Sequence, residues 1–454
     1  MNNTTVMSNQ ILLKPAIIIL DFILLFLLLH FLPYPLPITK ALSLLIFIAV
    51  LWLTEATHVT VTALLVPILA VFLGISELQS ALSHFSNSTI FLFFGGFALA
   101  AALHKQKLDH LLASKIILLA KGRLFTAVLM LFVISAFISM WISNTATVAM
   151  MLPLAIGMAD HLDPEQDRSS ITFILLGVAY SASIGGIGTL VGSPPNVIAA
   201  AQTGLSFIQW MRIGMPIVLI LLPIAIVILF FFFKPKLDRR YTPEKITFAW
   251  TINSKLTLAI FLCTVIAWVS SVPLSNLFGG IAQFDTLIAL IAAVLICLTG
   301  VASWRDIEQQ TEWGVLVLFG GGIALSTVLK ETGTSLFLAQ NITATFAATS
   351  PLFLFFIIAS FVVFLTEFTS NTATAALLVP LFAGVAESLG ISAIVMSVMV
   401  SVACSCAFML PVATPPNAIV FSSGLIRQKD MIRVGLLLNI ACIILLTGLF
   451  YIDI

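Results

Sequence analysis

The chain has 454 residues, of which 60% are hydrophobic and only 9% charged, with a formal net charge of +1. Soluble domains carry about 25% charged residues, so this chain cannot cover itself with a hydrated surface, and its mean hydropathy of +1.17 marks it as a membrane protein. A near-zero net charge with no basic, aromatic-interleaved patch offers nothing to nucleic acid, and the five cysteines all lie in apolar stretches, where they read as small buried fillers.

Apolar runs of roughly 20 residues predict helical spans over 11–32, 41–54, 58–74, 89–104, 171–191, 213–233, 254–272, 284–300, 313–329, 391–410 and 431–452. No small-residue cleavage site follows the first run, so it reads as a retained helix and not a signal peptide. Two further apolar regions, 124–158 and 335–389, do not parse as single spans. Each is interrupted by the same polar pentapeptide, Ser143-Asn144-Thr145-Ala146-Thr147 and Ser370-Asn371-Thr372-Ala373-Thr374.

Basic residues decide how those regions run, because cytoplasmic loops collect Lys and Arg. With the N-terminus cytoplasmic and both broken regions returning to the side they enter from, only Lys40, Arg212 and Lys330 of the 20 Lys and Arg fall outside. The other 17 fall inside, and the bias collapses if either region crosses fully. Both are therefore expected to be re-entrant hairpins, tolerable only where protein or a water-filled cavity satisfies their backbone. This topology places the C-terminus outside.

The polar stretch 234–253 reads as a cytoplasmic linker between an N-terminal half, 1–233, and a C-terminal half, 254–454. The first half holds scaffold helices in 11–104, the hairpin 124–158, a broken helix over 171–212 and the helix 213–233. The second holds scaffold helices in 254–329, the hairpin 335–389, a broken helix over 391–430 and the helix 431–452. Three motifs recur between them in one order: Phe94-Gly95-Gly96 with Phe319-Gly320-Gly321, the two pentapeptides, and Ser193-Pro194-Pro195-Asn196 with Thr414-Pro415-Pro416-Asn417. Phe94 and Phe319, Ser143 and Ser370, and Ser193 and Thr414 are 225, 227 and 221 residues apart, which implies internal duplication. The two hairpins enter from opposite sides. The predicted fold is an all-α polytopic membrane protein of about eleven transmembrane helices plus two re-entrant hairpins in an inverted repeat, the layout of secondary transporters with a midplane site.

The chemistry of the motifs fits that layout. A Ser-Asn-Thr tip between half-helices exposes carbonyls at one helix end, which favour a cation, and N–H groups at the next helix start, which favour an anion. Pro-Pro-Asn makes the complementary break, since proline ends the hydrogen-bond ladder and bars helix in the residue before it. Each hairpin tip and each break thus make a cation site, with an anion site between the two pairs. None of the four motifs contains Lys or Arg, so an anion is held by dipoles and co-bound cations, which couples the two bindings. Glu367, an ionisable group at membrane depth, faces Met140 in the repeat alignment and reads as a structural or protonatable accessory. Glu55 and His58 read as interfacial residues at a span end.

The paired Ser-Asn-Thr tips and paired Pro-Pro-Asn breaks resemble the divalent-anion:sodium symporters, the sodium-coupled dicarboxylate, citrate and sulfate transporters, from about residue 41 to the C-terminus. The resemblance implies a homodimer in the bacterial inner membrane, surrounded by lipid, in which a transport domain carrying both hairpins slides against a scaffold as an elevator. It maps one sodium ion to Ser139, Ser143, Asn144 and Gly192, and a second to Thr366, Thr369, Asn371 and Ala413. Thr369 would contribute a backbone carbonyl. Substrate carboxylates fall to Asn144, Thr145 and Ser193 on one side and to Asn371, Thr372 and Thr414 on the other. The implied substrates are C4 dicarboxylates such as succinate, malate and fumarate. A sulfate or citrate carrier, a dicarboxylate exchanger or a channel on the same scaffold are the alternatives. An enzyme is not expected, because neither a Gly-x-Ser-x-Gly elbow nor a His-Glu-x-x-His helix occurs.

Overall fold

The computed structural model describes residues 2–118, 120–160, 162–163, 166–240, 248–346 and 350–452, and their regular elements are all helices, with no strand among them. In the first half Leu36–Thr54, Val59–Phe72 and Ser88–Lys105 lead through Leu108–Leu118 to a hairpin of Leu124–Ser139 and Asn144–Ala159. Arg168–Gly185, Pro194–Thr203 and Phe207–Phe233 follow. The second half repeats this order. Ile252–Val269, Phe284–Leu298 and Trp313–Glu331 lead through Thr334–Phe346 to a hairpin of Pro351–Thr366 and Asn371–Ser388, then Ala393–Ser405, Pro415–Ser422 and Gln428–Ile452. Asn2–Phe31 precedes both sets.

Among the described residues, eight helices are long and apolar enough to cross a membrane, and six shorter apolar ones accompany them. Three of the six are hairpin halves, and the other three, Val59–Phe72, Phe284–Leu298 and Ala393–Ser405, fall on expected spans but are shorter than a membrane crossing. The region 335–389 is more finely divided than its apolarity suggests. Thr334–Phe346 is a helix of its own, matching Leu108–Leu118 in the first half, and the second hairpin begins at Pro351. The linker 234–253 lies partly outside the described residues. Its first part is tied to the hairpin entrance, where Arg239 pairs with Asp167 at 2.8 Å and the Leu124 N–H donates to the Arg239 carbonyl.

Burial separates the peripheral helices from those that hold the site. Only 11% of Lys14–Phe31 is buried against the rest of the chain, whereas all of Arg168–Gly188 is. Large apolar side chains such as Phe26, Phe72, Phe231 and Leu298 stand exposed, the outside of an integral membrane protein. Helices with no hydrophobic drive toward one another approach through small residues, and the Phe-Gly-Gly motifs serve this. A Cβ on Gly95 would stand 2.5 Å from the Ala289 Cβ, and one on Gly321 would stand 2.7 Å from that of Ala63. The helices Ser88–Lys105 and Trp313–Glu331 are thereby seated on Phe284–Leu298 and Val59–Phe72.

At the centre the halves interlock. Pro194–Thr203 packs on Asn371–Ser388 and Ala393–Ser405 of the second half, and Pro415–Ser422 packs on Asn144–Ala159 and Arg168–Gly185 of the first. The buried Tyr180 hydroxyl donates to the Phe408 carbonyl at 2.6 Å, with the two rings edge to face.

Candidate functional site

Each hairpin turns where its sequence stops supporting helix. The apolar helix Leu124–Ser139 ends, three residues pass, and Ser143 N-caps the next helix by accepting from the Ala146 N–H at 3.3 Å. Ser370 does the same for the Ala373 N–H at 3.5 Å. The serine of each pentapeptide is thus a cap, which places Asn144-Thr145 and Asn371-Thr372 in the first turn of a helix, where N–H groups lack intrahelical partners.

The breaks are built by different local means in the two halves. Arg168–Gly185 runs into two 3-10 turns, Gly186–Gly188 and Leu190–Gly192, before Pro194 starts a new helix. Ala393–Ser405 gives way to an irregular segment before Pro415. The asparagine after each Pro-Pro then staples its own break. Asn196 Nδ2 donates to the carbonyls of Gly186 at 2.8 Å and Thr189 at 2.7 Å, and Asn417 Nδ2 donates to those of Ala407 at 3.1 Å and Leu410 at 3.0 Å. At the repeat offset of 221 residues these are equivalent positions. Both asparagines are fully buried, and each holds its break through its amide nitrogen.

Tips and breaks meet around one cavity of about 590 Å³. Its wall includes Ser143, Asn144, Thr145, Gly192 and Ser193 from the first half and Thr369, Asn371, Thr372, Ala413 and Thr414 from the second. Of the expected site residues only Ser139 and Thr366 are off the wall. Both are fully buried behind it. The Ser139 hydroxyl donates to Asn144 Oδ1, and that of Thr366 shares its one proton between Asn371 Oδ1 at 2.7 Å and the Cys404 carbonyl at 3.0 Å. The Thr369 hydroxyl is turned back into its hairpin, bonded to the Leu365 carbonyl and to Thr374, which leaves its carbonyl as the group free to face a ligand.

Two properties of this cavity bear on what it binds. First, four helices begin on it, at Asn144, Pro194, Asn371 and Pro415. Each N-terminus carries about half a positive charge and stabilises an anion by roughly 0.3–1 kcal/mol, up to about 2 when partly buried. Second, oxygens converge behind the tip of the first hairpin. A Cβ on Gly192 would fall 2.6 Å from the Gly186 carbonyl oxygen and 3.0 Å from that of Ser139, and one on Gly186 would fall 2.4 Å from Asn144 Oδ1. That cradle of neutral oxygens is the donor set a hard monovalent cation takes.

Residues outside the expected site also line the cavity. Phe93, Phe97 and Trp141 form an apolar wall, and Glu55 and Glu312 add two carboxylates. Glu55 is therefore at the cavity, not merely at an interfacial span end; it caps Leu36–Thr54 in the left-handed conformation with φ of 47°. His58 keeps a local role, its Nδ1 accepting from the Thr60 N–H. Neither glutamate belongs to a repeated motif, so no spacing could have found them. Among the lining residues there is no Lys or Arg.

Comparison with known proteins agrees with this architecture. Residues 49–404 match the family described as citrate transporter. An uncharacterized transporter of Haemophilus influenzae is 52% identical, covering 96% of both chains. The sodium-dependent dicarboxylate transporter SdcS of Staphylococcus saprophyticus is 32% identical over 90% of this chain and 85% of its own length. Among solved structures, the crystal structure of the Alcanivorax borkumensis YdaH transporter shares the fold, with a TM-score of 0.56 at 14% identity over 82% of this chain and 86% of the other.

Proposed function

We propose that this chain, a transporter belonging to the citrate transporter family and consistent with the divalent-anion:sodium symporters, carries sodium ions and a C4 dicarboxylate together into the cell. The observation that carries the reading is the electrostatics of the cavity. Four helix N-termini attract an anion, yet the wall holds two glutamates and no basic side chain. A dianion entering alone meets like charge; one entering with cations in the oxygen cradles does not. Sodium binding thereby becomes a precondition for substrate binding, the coupling a symporter needs.

In this reading Ser139, Ser143, Asn144 and Gly192 hold one sodium ion and Thr366, Thr369, Asn371 and Ala413 a second. Asn144, Thr145, Ser193, Asn371, Thr372 and Thr414 hold the substrate carboxylates. The cavity is within the usual 300–1,000 Å³ of small-molecule sites. The hairpins are re-entrant from opposite faces of a bacterial inner membrane, the N-terminus is cytoplasmic and the C-terminus outside, and the halves form an inverted repeat. Two such protomers form a homodimer, and the hairpin-bearing part moves against Leu36–Lys105 and Ile252–Glu331 as an elevator. The matched region 49–404 carries the description citrate transporter, which makes citrate the second substrate reading.

The test is uptake of labelled succinate into proteoliposomes with sodium exchanged for potassium or choline. Uptake that vanishes without sodium supports symport, and equal uptake would refute it. Competition by unlabelled citrate, sulfate and succinate ranks the substrates: stronger competition by citrate would replace the dicarboxylate reading.

A further inference from the structure

Glu367 is 1% exposed and follows Thr366 directly at the end of its helix. Its carboxylate accepts four N–H bonds: from Phe408 at 2.7 Å and Met409 at 2.9 Å on Oε1, from Leu410 at 3.0 Å on Oε2, and from Asn439 Nδ2 at 2.7 Å on Oε1. No basic side chain is among its partners. The grip is passed on to the site through Leu410, whose carbonyl accepts from the Ala413 N–H and from Asn417 Nδ2. Thr366 and Glu367 therefore hold the second break from two sides, Thr366 at the Cys404 carbonyl and Glu367 at 408–410.

The first half makes the same connection without a charge. Met140 stands at the position equivalent to Glu367, and its carbonyl accepts from the hydroxyl of Thr189, the residue equivalent to Leu410. Holding a break thus requires no ionised group. Burying a carboxylate is costly, and hydrogen bonds return that cost only if all are made. What the carboxylate adds is negative potential in a low-dielectric region, beside the residues proposed to hold the second cation.

We infer that Glu367 is a positioning residue that makes the two cation sites inequivalent: it fixes the break that bounds the second site and supplies a net negative charge that the first site lacks, so sodium fills the second site at lower concentration. This rests on the sodium-symport reading above and deepens it.

The experiment is a sodium titration of succinate uptake in proteoliposomes, with sodium-dependent thermal stabilisation of the detergent-solubilised protein measured in parallel. Glu367→Gln keeps the shape and one acceptor but removes the charge. It is expected to raise the half-activating sodium concentration about tenfold, while the KM for succinate at saturating sodium stays within about twofold of wild type. A role in stability alone would lower the unfolding midpoint equally in sodium and in choline and leave the sodium curve in place, which would overturn the inference. Should the glutamine variant not accumulate, Glu367→Met combined with Leu410→Thr writes the first half's pairing into the second. That protein is expected to fold and to need more sodium. An unmoved sodium curve, or failure of both proteins to fold, overturns the inference. Wild-type protein without a sodium response would instead refute the symport reading itself, so the two failures are distinct.

Discussion

Asn144 and Asn371 are the residues on which most depends, since each joins a buried hydroxyl behind the cavity wall to the cavity itself. Replacing either by Ala removes an oxygen from the proposed cation cradle and an amide from the proposed substrate side, so uptake is expected to fall at least about 100-fold, the loss of one or two charge-assisted contacts. Size-exclusion chromatography should show the folded protein unchanged, and wild-type rates in both variants would sink the site assignment. Gly192→Ala tests the first cradle more narrowly. The added methyl would occupy the space between two carbonyl oxygens, and overpacking of this kind costs about 1–3 kcal/mol. Thermal unfolding should show that loss, together with a weakened sodium response; an unchanged sodium response would mean that no cation sits there.

Elements in this protein are defined by how they start and stop inside apolar chain. Ser143 and Ser370 let two helices begin inside apolar chain by capping them, and Ser143→Ala is expected to lower stability by about 1 kcal/mol, seen as a lower unfolding midpoint. No change in that midpoint would mean that tertiary contacts alone hold the helix start. The breaks differ more than their shared Pro-Pro-Asn suggests. Glycines let the first fold tightly enough to approach the hairpin, whereas the second has none between Ala403 and Thr414 and is held by Glu367. Repeat sequence therefore predicted the position of both breaks but not the device that stabilises each. Ser-Asn-Thr and Pro-Pro-Asn were legible because proline and capping residues act locally. Glu55 and Glu312 were not, since only packing brings the ends of distant helices to the cavity.

In the whole molecule the halves are held together at their broken helices. Tyr180→Phe removes the donor to the Phe408 carbonyl and leaves that buried oxygen short of a partner, a change expected to destabilise by about 1–3 kcal/mol. Differential scanning fluorimetry would detect it, and an unchanged midpoint would show that packing of the two rings suffices. The cavity's net charge is a whole-molecule property as well. Combining Glu55→Gln with Glu312→Gln removes the carboxylates that, in the proposed reading, repel an unaccompanied dianion. Residual uptake in choline is expected to rise while sodium-driven uptake persists. No rise in choline uptake would count against charge as the basis of coupling.

By itself the sequence determined the membrane-embedded helical class, the two hairpins and the residues at their tips. Hydropathy, capping and proline act over a few residues, and a duplicated motif marks its own partner at a fixed offset. Tertiary structure decided which groups face the cavity and which stand behind it. It turned Ser139 and Thr366 inward, made Asn196 and Asn417 staples, and brought two glutamates to the wall. It also set a carboxylate against the second break where the first half uses a threonine hydroxyl. Those outcomes depend on contacts between residues tens to hundreds of positions apart, which no local pattern encodes.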